Sequence, residues 1–388
     1  MGSASDILCL NCGSSSLKFS LYTLCDEGES LRDRGSVEGI GLATGELEIH
    51  GEDGAVLARS RHSSSDHATA LELLLDGLRE RGVGEVAAAG HRVVHGGPDR
   101  KGPARIDAAL IDELRARIPM APLHLPQELR VIEATATRWP GLPQVACFDT
   151  AFHRHMPEIA QRLPLPRRLF DEGVRRYGYH GLSYEYVLHT LGDAARGRVI
   201  IAHLGNGSSL AALRDGRPVD TTMGFTPTGG VMMGTRSGDL DPGVLLHLLD
   251  RPGWDGARVT HLVNRDAGLL GVSGVTADMR RLLELRANDA RADQAVRMFC
   301  RSVRQAIGAL ATELGGLDLL VFTGGIGERS STVRREICEG LEHLGVPPAG
   351  EGASANGATV RVRVVPTDEN RMIARQTWTV MFGEGEDQ

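Results

Sequence analysis

The chain has 388 residues, 41% hydrophobic and 24% charged, with a net charge of −7 at pH 7. That length predicts two or three folded units, and the acidic balance without any Lys/Arg block excludes a nucleic-acid footprint or an anionic-membrane patch. No apolar run approaches the ~20 residues that a membrane helix needs, and the polar start MGSASD lacks a basic region followed by a hydrophobic stretch, so a cytoplasmic protein with a small-molecule partner is expected.

In chain order, residues 7–10 form an apolar run, residues 11–16 are all turn-compatible, and residues 17–22 alternate as LKFSLY, which predicts strand, tight turn, strand. Residues 199–213, VIIAHLGNGSSLAAL, repeat that grammar. Gly13 and Gly207 lie 194 residues apart, half the chain, which predicts an internal duplication into two similar domains. Further on, Val296, Phe299, Cys300, Val303, Ile307, Leu310 and Leu314 step by threes and fours, predicting a helix that ends at Gly315-Gly316. A buried-strand pattern, DLLVFT, then leads into a glycine-rich loop, GGIGER, and a second helical face at Val333, Ile337, Leu341 and Leu344. Alternation of this kind belongs to an α/β domain. Residues 350–359 read as a small-residue loop, and the terminal GEGEDQ as a frayed tail.

The opening ILCLNCGSSSLKF admits two chemistries. Cys9 and Cys12 spell C-x-x-C, but such thiols usually sit at a helix start, and none of the four other cysteines supplies a second metal-ligand pair. The turn at residues 11–16 instead offers backbone N–H groups and hydroxyls to phosphate oxygens, with Lys18 as a cation on the outgoing strand. An ordinary Ser-rich hairpin is the bland alternative. HLGNGSS and GGIGER are two further glycine turns fed by apolar strands, while the single-loop nucleotide signatures are absent, so several loops are expected to share a nucleotide.

Other candidates carry charge into unusual places. Asp149 follows the buried run QVACF, as general base, metal ligand or helix cap. In GHRVVHGG the H-x-x-x-H spacing lacks the glutamate of a zinc-protease helix and is stopped by Gly96-Gly97; Arg92 there suits a carboxylate or phosphate, or a structural salt bridge. Arg236 lies in the aperiodic MGFTPTGGVMMGTRSGDLDP. His180 lies in a Gly-flanked turn, where a satisfied core histidine is the default. Asp368 and Glu369 in VVPTDEN are available to Mg²⁺, or are plain surface carboxylates.

Ten ordered blocks, from NCGSSSLK through GHRVVHGG, APLHLP, FDTAFH, RRYGYHG, HLGNGSS, MGFTPTGGVMMGTRSGDLDP, GVSGVTADMR and GGIGER to PTDENRMIA, closely resemble the acetate kinase family of short-chain carboxylate kinases. The resemblance spans nearly the whole chain. It implies an α/β fold of two duplicated ribonuclease-H-like domains, as in actin, Hsp70 and sugar kinases (the ASKHA superfamily), with ATP in the cleft. Residues 1–149 plus 371–388 would form the carboxylate-side domain and residues 150–370 the nucleotide-side domain. The implied reaction is ATP plus acetate giving ADP plus acetyl phosphate, reversibly, with Mg²⁺ (Mn²⁺ as a substitute), in a homodimer.

Carried onto matching positions, the resemblance makes Asp149, His180 and Arg236 catalytic, and assigns the acceptor to Arg92, Val94, Leu123, Tyr179 and Pro227. Lys18, the stretch His203, Leu204, Gly205, Asn206 and Gly207, then Asp278, Met279 and Arg280 would meet the nucleotide. So would Gly325, Ile326, Gly327, Glu328 and Arg329, while Asn11 and Glu369 would sit near the metal. A carboxylate acceptor is already ionised at neutral pH, so Asp149 is expected to act by orientation or through the metal rather than by removing a proton. Departures from the family include Leu125, Tyr179, Leu182 and Tyr184, an Arg329 where Asn is usual, and an Asn370 where Glu is usual. They bear on acid preference, on the nucleotide and on the metal. The rival from another class is an actin- or Hsp70-like ATPase switch, which shares such hairpins but has no use for Arg92 and Arg236 facing a terminal phosphate.

Overall fold

A computed structural model describes residues 4–13, 15–348 and 359–383. Ser14 of the first glycine turn, most of the 350–359 loop and the tail from residue 384 lie outside the described residues. The chain divides into two compact units, residues 1–152 with 368–388, and residues 153–367. Among the described residues, no helix is long and apolar enough to cross a membrane.

Unit 1 is built on an eight-stranded sheet. Its strands are β1 (Ser5–Cys12), β2 (Ser16–Cys25), β3 (Gly28–Glu38), β4 (Gly45–Gly51), β5 (Val56–His62), β6 (Ala88–Val93), β7 (Ala104–Arg105) and β8 (Gln144–Phe148), in the order β5-β4-β3-β2-β1-β6-β8-β7. The first five strands form an antiparallel meander, whereas β1, β6 and β8 run parallel. Parallel strands buried on both faces should read as unbroken apolar runs, and QVACF is buried at every position. The His67–Glu80 and Leu125–Arg138 helices accompany this sheet. The Glu369–Phe382 helix lies directly on β6, because a Cβ on Gly90 would stand 2.2 Å from Thr377 Oγ1. Only glycine allows that approach, and it sets where Glu369, the first residue of that helix, is delivered.

Unit 2 repeats the plan with five strands, β9 (Arg198–Leu204), β10 (Ser208–Arg214), β11 (Arg217–Thr221), β12 (Leu319–Thr323) and β13 (Arg361–Val364), in the order β11-β10-β9-β12-β13. An antiparallel hairpin again precedes parallel strands, since β9 pairs antiparallel with β10 and parallel with β12, which pairs parallel with β13. The central strands β3-β2-β1-β6-β8 and β11-β10-β9-β12-β13 therefore share one topology, as the half-length repeat predicts. The predicted helix is the Ala290–Leu314 helix, amphipathic over seven turns and closed by Gly315 in the left-handed conformation. Its buried face, with Phe299, Val303 and Ile307, packs against Ile200, Leu210 and Phe322 of the sheet in one core. GGIGER differs from expectation: it is not a loop but the Gly324–Arg329 helix, starting straight off β12, with the Glu328 carboxylate accepting the Gly324 N–H at 2.9 Å. The 222–241 stretch is irregular, as its lack of period suggests.

Candidate active site

In unit 1 the carboxyl ends of β1, β6 and β8 meet at one sheet edge, where open α/β sheets keep their chemistry. Each end contributes a polar side chain to a row otherwise apolar: Asn11 near the end of β1, Arg92 in β6 and Asp149 immediately after β8. Arg92 donates to Asp149 Oδ2 from Nη2 at 2.6 Å and from Nε at 3.1 Å, and to Asn11 Oδ1 from Nη1 at 3.2 Å. Asn11 Nδ2 donates to Glu369 Oε2 at 3.2 Å, and that oxygen lies 3.8 Å from Arg92 Nε. Burial alone would push the Arg92 guanidinium down, but the Asp149 and Glu369 carboxylates outweigh it and hold its proton more tightly than usual. The guanidinium is a fixed cation, and Asp149, fully buried, is the anion that aims it.

A fifth group joins this cluster that the sequence reading missed. Glu128, in the Leu125–Arg138 helix, is only 2% exposed; its Oε2 accepts the Val94 N–H at 3.1 Å, and burial pushes its carboxyl up to about 8. A signal existed in the pattern, because Glu128 stands on the face of Leu125, Leu129 and Ile132, where the helix period calls for an apolar residue. Val94 is buried nearby in sequence, and Leu123 is half-buried.

The opening stretch resolves against thiol chemistry. Cys9 and Cys12 are both free and buried in β1, and burial raises both thiols above their ordinary range, the opposite of an activated cysteine. None of the six cysteines forms a disulfide. The turn is tight, with Gly13 N–H donating to the Ser16 carbonyl at 2.8 Å. Lys18 is exposed and pairs directly across the hairpin with Asn11, so both project from the same face of unit 1. The other predicted nucleotide residues all belong to unit 2.

In unit 2 the β9–β10 turn is the centre of a second cluster. A Cβ on Gly207 would stand 3.3 Å from Arg236 Nη1 and 3.4 Å from His180 Nε2, so a guanidinium and an imidazole both rest against bare hairpin backbone. His180 adopts φ 62°, a left-handed conformation uncommon outside glycine, directly before the Gly181–Leu191 helix. Its Nδ1 is hydrogen-bonded to Ser209 Oγ at 2.9 Å, Ser209 is also bonded by Tyr184, and its ring stacks on His203 at 4.2 Å. His203 in turn is bonded to Ser183 Oγ at 2.8 Å. Fixing one ring nitrogen fixes what the other presents. Arg236 Nη1 donates to the Pro227 carbonyl at 3.1 Å, and Tyr179, buried, donates its hydroxyl to the Phe225 carbonyl at 2.7 Å. The sequence marks Tyr184 only as a departure from the family, and neither it nor the serines that steady these imidazoles are expected in that role.

A cleft of about 860 Å³ opens beside this cluster within unit 2. Of the predicted nucleotide residues, Gly205, Asn206, Asp278, Met279, Arg280, Gly325, Ile326 and Arg329 line it. Leu204 instead belongs to the hydrophobic core, Gly327 is buried, and Glu328 turns back to accept the Gly324 and Thr367 N–H groups at 2.9 and 3.0 Å. Those three support the cleft wall rather than face it. A larger cavity, about 1210 Å³, lies apart from all predicted site residues along the Ala290–Leu314 helix, and its lining is mainly ion-paired arginines and carboxylates. Among the described residues, no group of three or more His, Cys, Asp or Glu is poised around a metal position.

The model of the acetokinase family matches residues 6–375. An acetate kinase of Rhodopseudomonas palustris is 43% identical, covering 97% of this chain and 98% of its own length, and a propionate kinase of Citrobacter rodentium is 41% identical over 97% of each. Among solved structures, Porphyromonas gingivalis acetate kinase aligns with a TM-score of 0.84 at 39% identity, and a propionate kinase of Francisella tularensis with 0.88 at 35%, each covering 97% of this chain and 100% of the other. With that match across its whole length, and with both its sheets built on the expected plan, the chain belongs to the acetokinase family.

Proposed function

We propose that this protein transfers the terminal phosphoryl group of ATP to acetate by direct in-line displacement, giving acetyl phosphate and ADP reversibly, with propionate as the alternative acceptor. The observation that carries the reading is the Gly207 turn, where Arg236 and His180 converge on backbone beside an open cleft. Phosphoryl transfer between anions asks chiefly for positioning and charge neutralisation, and such an arrangement supplies donors where charge accumulates. Arg92 is the anchor for the acceptor carboxylate. Asp149 acts by orienting Arg92, to which it is bound through two N–H groups, because the acceptor has no proton to lose.

The acyl wall is assigned to Val94, Leu123, Tyr179 and Pro227. A mostly apolar wall separates acetate from propionate by only ~1 to 3 kcal/mol per methylene. The 860 Å³ cleft takes the nucleotide. Asn11 and Glu369 are assigned to Mg²⁺, or Mn²⁺ in its place. Their hard oxygens suit such ions, which bind through one or two carboxylates plus phosphates and so do not need a closed protein cage. Bound there with ATP, the ion would neutralise phosphate charge. Work in the cytoplasm is supported by six cysteines that form no disulfide. A homodimer is supported by the Pro242–Leu249 helix and its approach, where Leu240, Val244, Leu246 and Leu249 are each more than two-fifths exposed.

Coupled measurement of ADP release tests the reading. Release that rises with acetate or propionate is expected; ADP release indifferent to either acid would instead mark an ATPase switch and overturn the assignment.

A further inference from the structure

Glu128 is a carboxyl group where the helix pattern expects a hydrocarbon, and both of its oxygens are accounted for awkwardly. Oε2 accepts the Val94 N–H at 3.1 Å, while Oε1 is buried without any hydrogen-bond partner among the described residues. An ionised oxygen left bare in that position is far costlier than a neutral one. The charged and titratable groups facing Glu128 come from three strand ends: Arg92 in β6, Asp149 after β8 and the Cys12 thiol in β1. The neighbouring helices offer Glu72 and Arg115, but these pair with Arg138 and Glu133. Arg92 already has Asp149 at 2.6 Å and Glu369 at 3.8 Å, so a third anion beside it would oppose the arrival of a negatively charged acceptor.

We propose that Glu128 is a positioning residue that serves as a neutral carboxylic acid, bracing the Val94 backbone while keeping a third negative charge away from Arg92, so that acceptor affinity falls when Glu128 ionises. This rests on the acceptor-anchoring role given to Arg92. The sign follows from the direction of the shift. A carboxyl pushed up to about 8 is neutral below that pH and charged above it, so the weakening appears on the alkaline side.

The test is the KM for acetate at saturating ATP between pH 6.5 and 9.5, in the unaltered protein and in Glu128→Gln, with acetate binding measured alongside by calorimetry. One ionisation near pH 8 raises KM about tenfold from pH 7 to pH 9 with kcat little changed, whereas Glu128→Gln, which keeps an oxygen for Val94 and cannot ionise, stays flat. The same alkaline rise in both proteins, or none in either, overturns the inference. Loss of turnover with acetate binding and its pH dependence intact would sink the kinase reading but leave this one standing. No acetate binding at any pH overturns both Glu128's part and Arg92's. Infrared difference spectra provide a readout free of catalysis: a protonated-carboxyl band that disappears through about pH 8 and is missing from Glu128→Gln is expected, and its absence from the unaltered protein also overturns the proposal.

Discussion

The two glycine hairpins share a strand plan but meet charge in different ways. In unit 1, Asn11 lies within β1, paired across the hairpin with Lys18, whereas in unit 2 Gly205 lies in the turn beyond the end of β9. The asparagine side chain ties Arg92 to Glu369, so that hairpin belongs to a crowded, carboxylate-rich cluster. The glycine exposes backbone to a cleft, and beside it the His180 ring is bonded to the Ser209 hydroxyl while Arg236 donates to the Pro227 carbonyl. A duplicated scaffold thus carries a carboxylate-rich cluster in one copy and, in the other, a turn where a guanidinium and an imidazole rest against backbone.

The comparison is most exposed to failure at its two arginines. Arg236→Ala should lower kcat by about 10²- to 10³-fold with little change in the KM for acetate, as expected for a donor used mainly in the transition state. Arg92→Ala should raise the KM for acetate by about 10- to 100-fold with a smaller fall in kcat, and should destabilise unit 1 because Asp149 is left buried without its cation. Steady-state kinetics and thermal unfolding of both variants check this; equal effects on both parameters in both variants would erase the division of labour. Gly207→Ala sharpens it. The added methyl would press on Arg236 Nη1 and His180 Nε2 from 3.3 and 3.4 Å, so a loss of about tenfold in kcat is expected with acetate binding unaltered. Ser209→Ala removes the hydroxyl that holds His180 Nδ1, and about fivefold in kcat should follow, from the loss of one hydrogen bond of about 1 kcal/mol. The smallest effect belongs to Cys12→Ala, whose acetate-dependent ADP release should stay within about twofold of the unaltered protein. A larger loss would reopen the thiol reading of the first hairpin.

What the sequence made legible was whatever a local pattern can carry. The strands of both hairpins, the Ala290–Leu314 helix and β12 announce themselves through period and turn chemistry, and Arg92, Asp149 and His180 stand out as polar groups set in apolar or glycine-rich surroundings. Less visible was anything decided by the partner across space. Glu128 is an ordinary helical glutamate until the fold buries it against Val94. Ser209 is unremarkable, and Tyr184 only a departure from the family, until the fold brings them to His180. GGIGER looked like a loop because its glycines disfavour helix, yet Glu328 folds back on the first turn and closes it. Strands β4 and β5 escaped notice because edge-side strands with one solvated face carry few apolar residues.

The strands at the margins of both sheets have a consequence for how copies of this molecule can meet. β5 carries Arg59 and Arg61, β7 is two residues long and ends in Arg105, β11 begins Arg217-Pro218, and β13 alternates Arg361 and Arg363 outward. A guanidinium on every border, and a proline on one, discourages another chain from adding on as a further strand, the route that leads to fibres. Self-recognition is thereby steered away from open-ended stacking through the sheet edges.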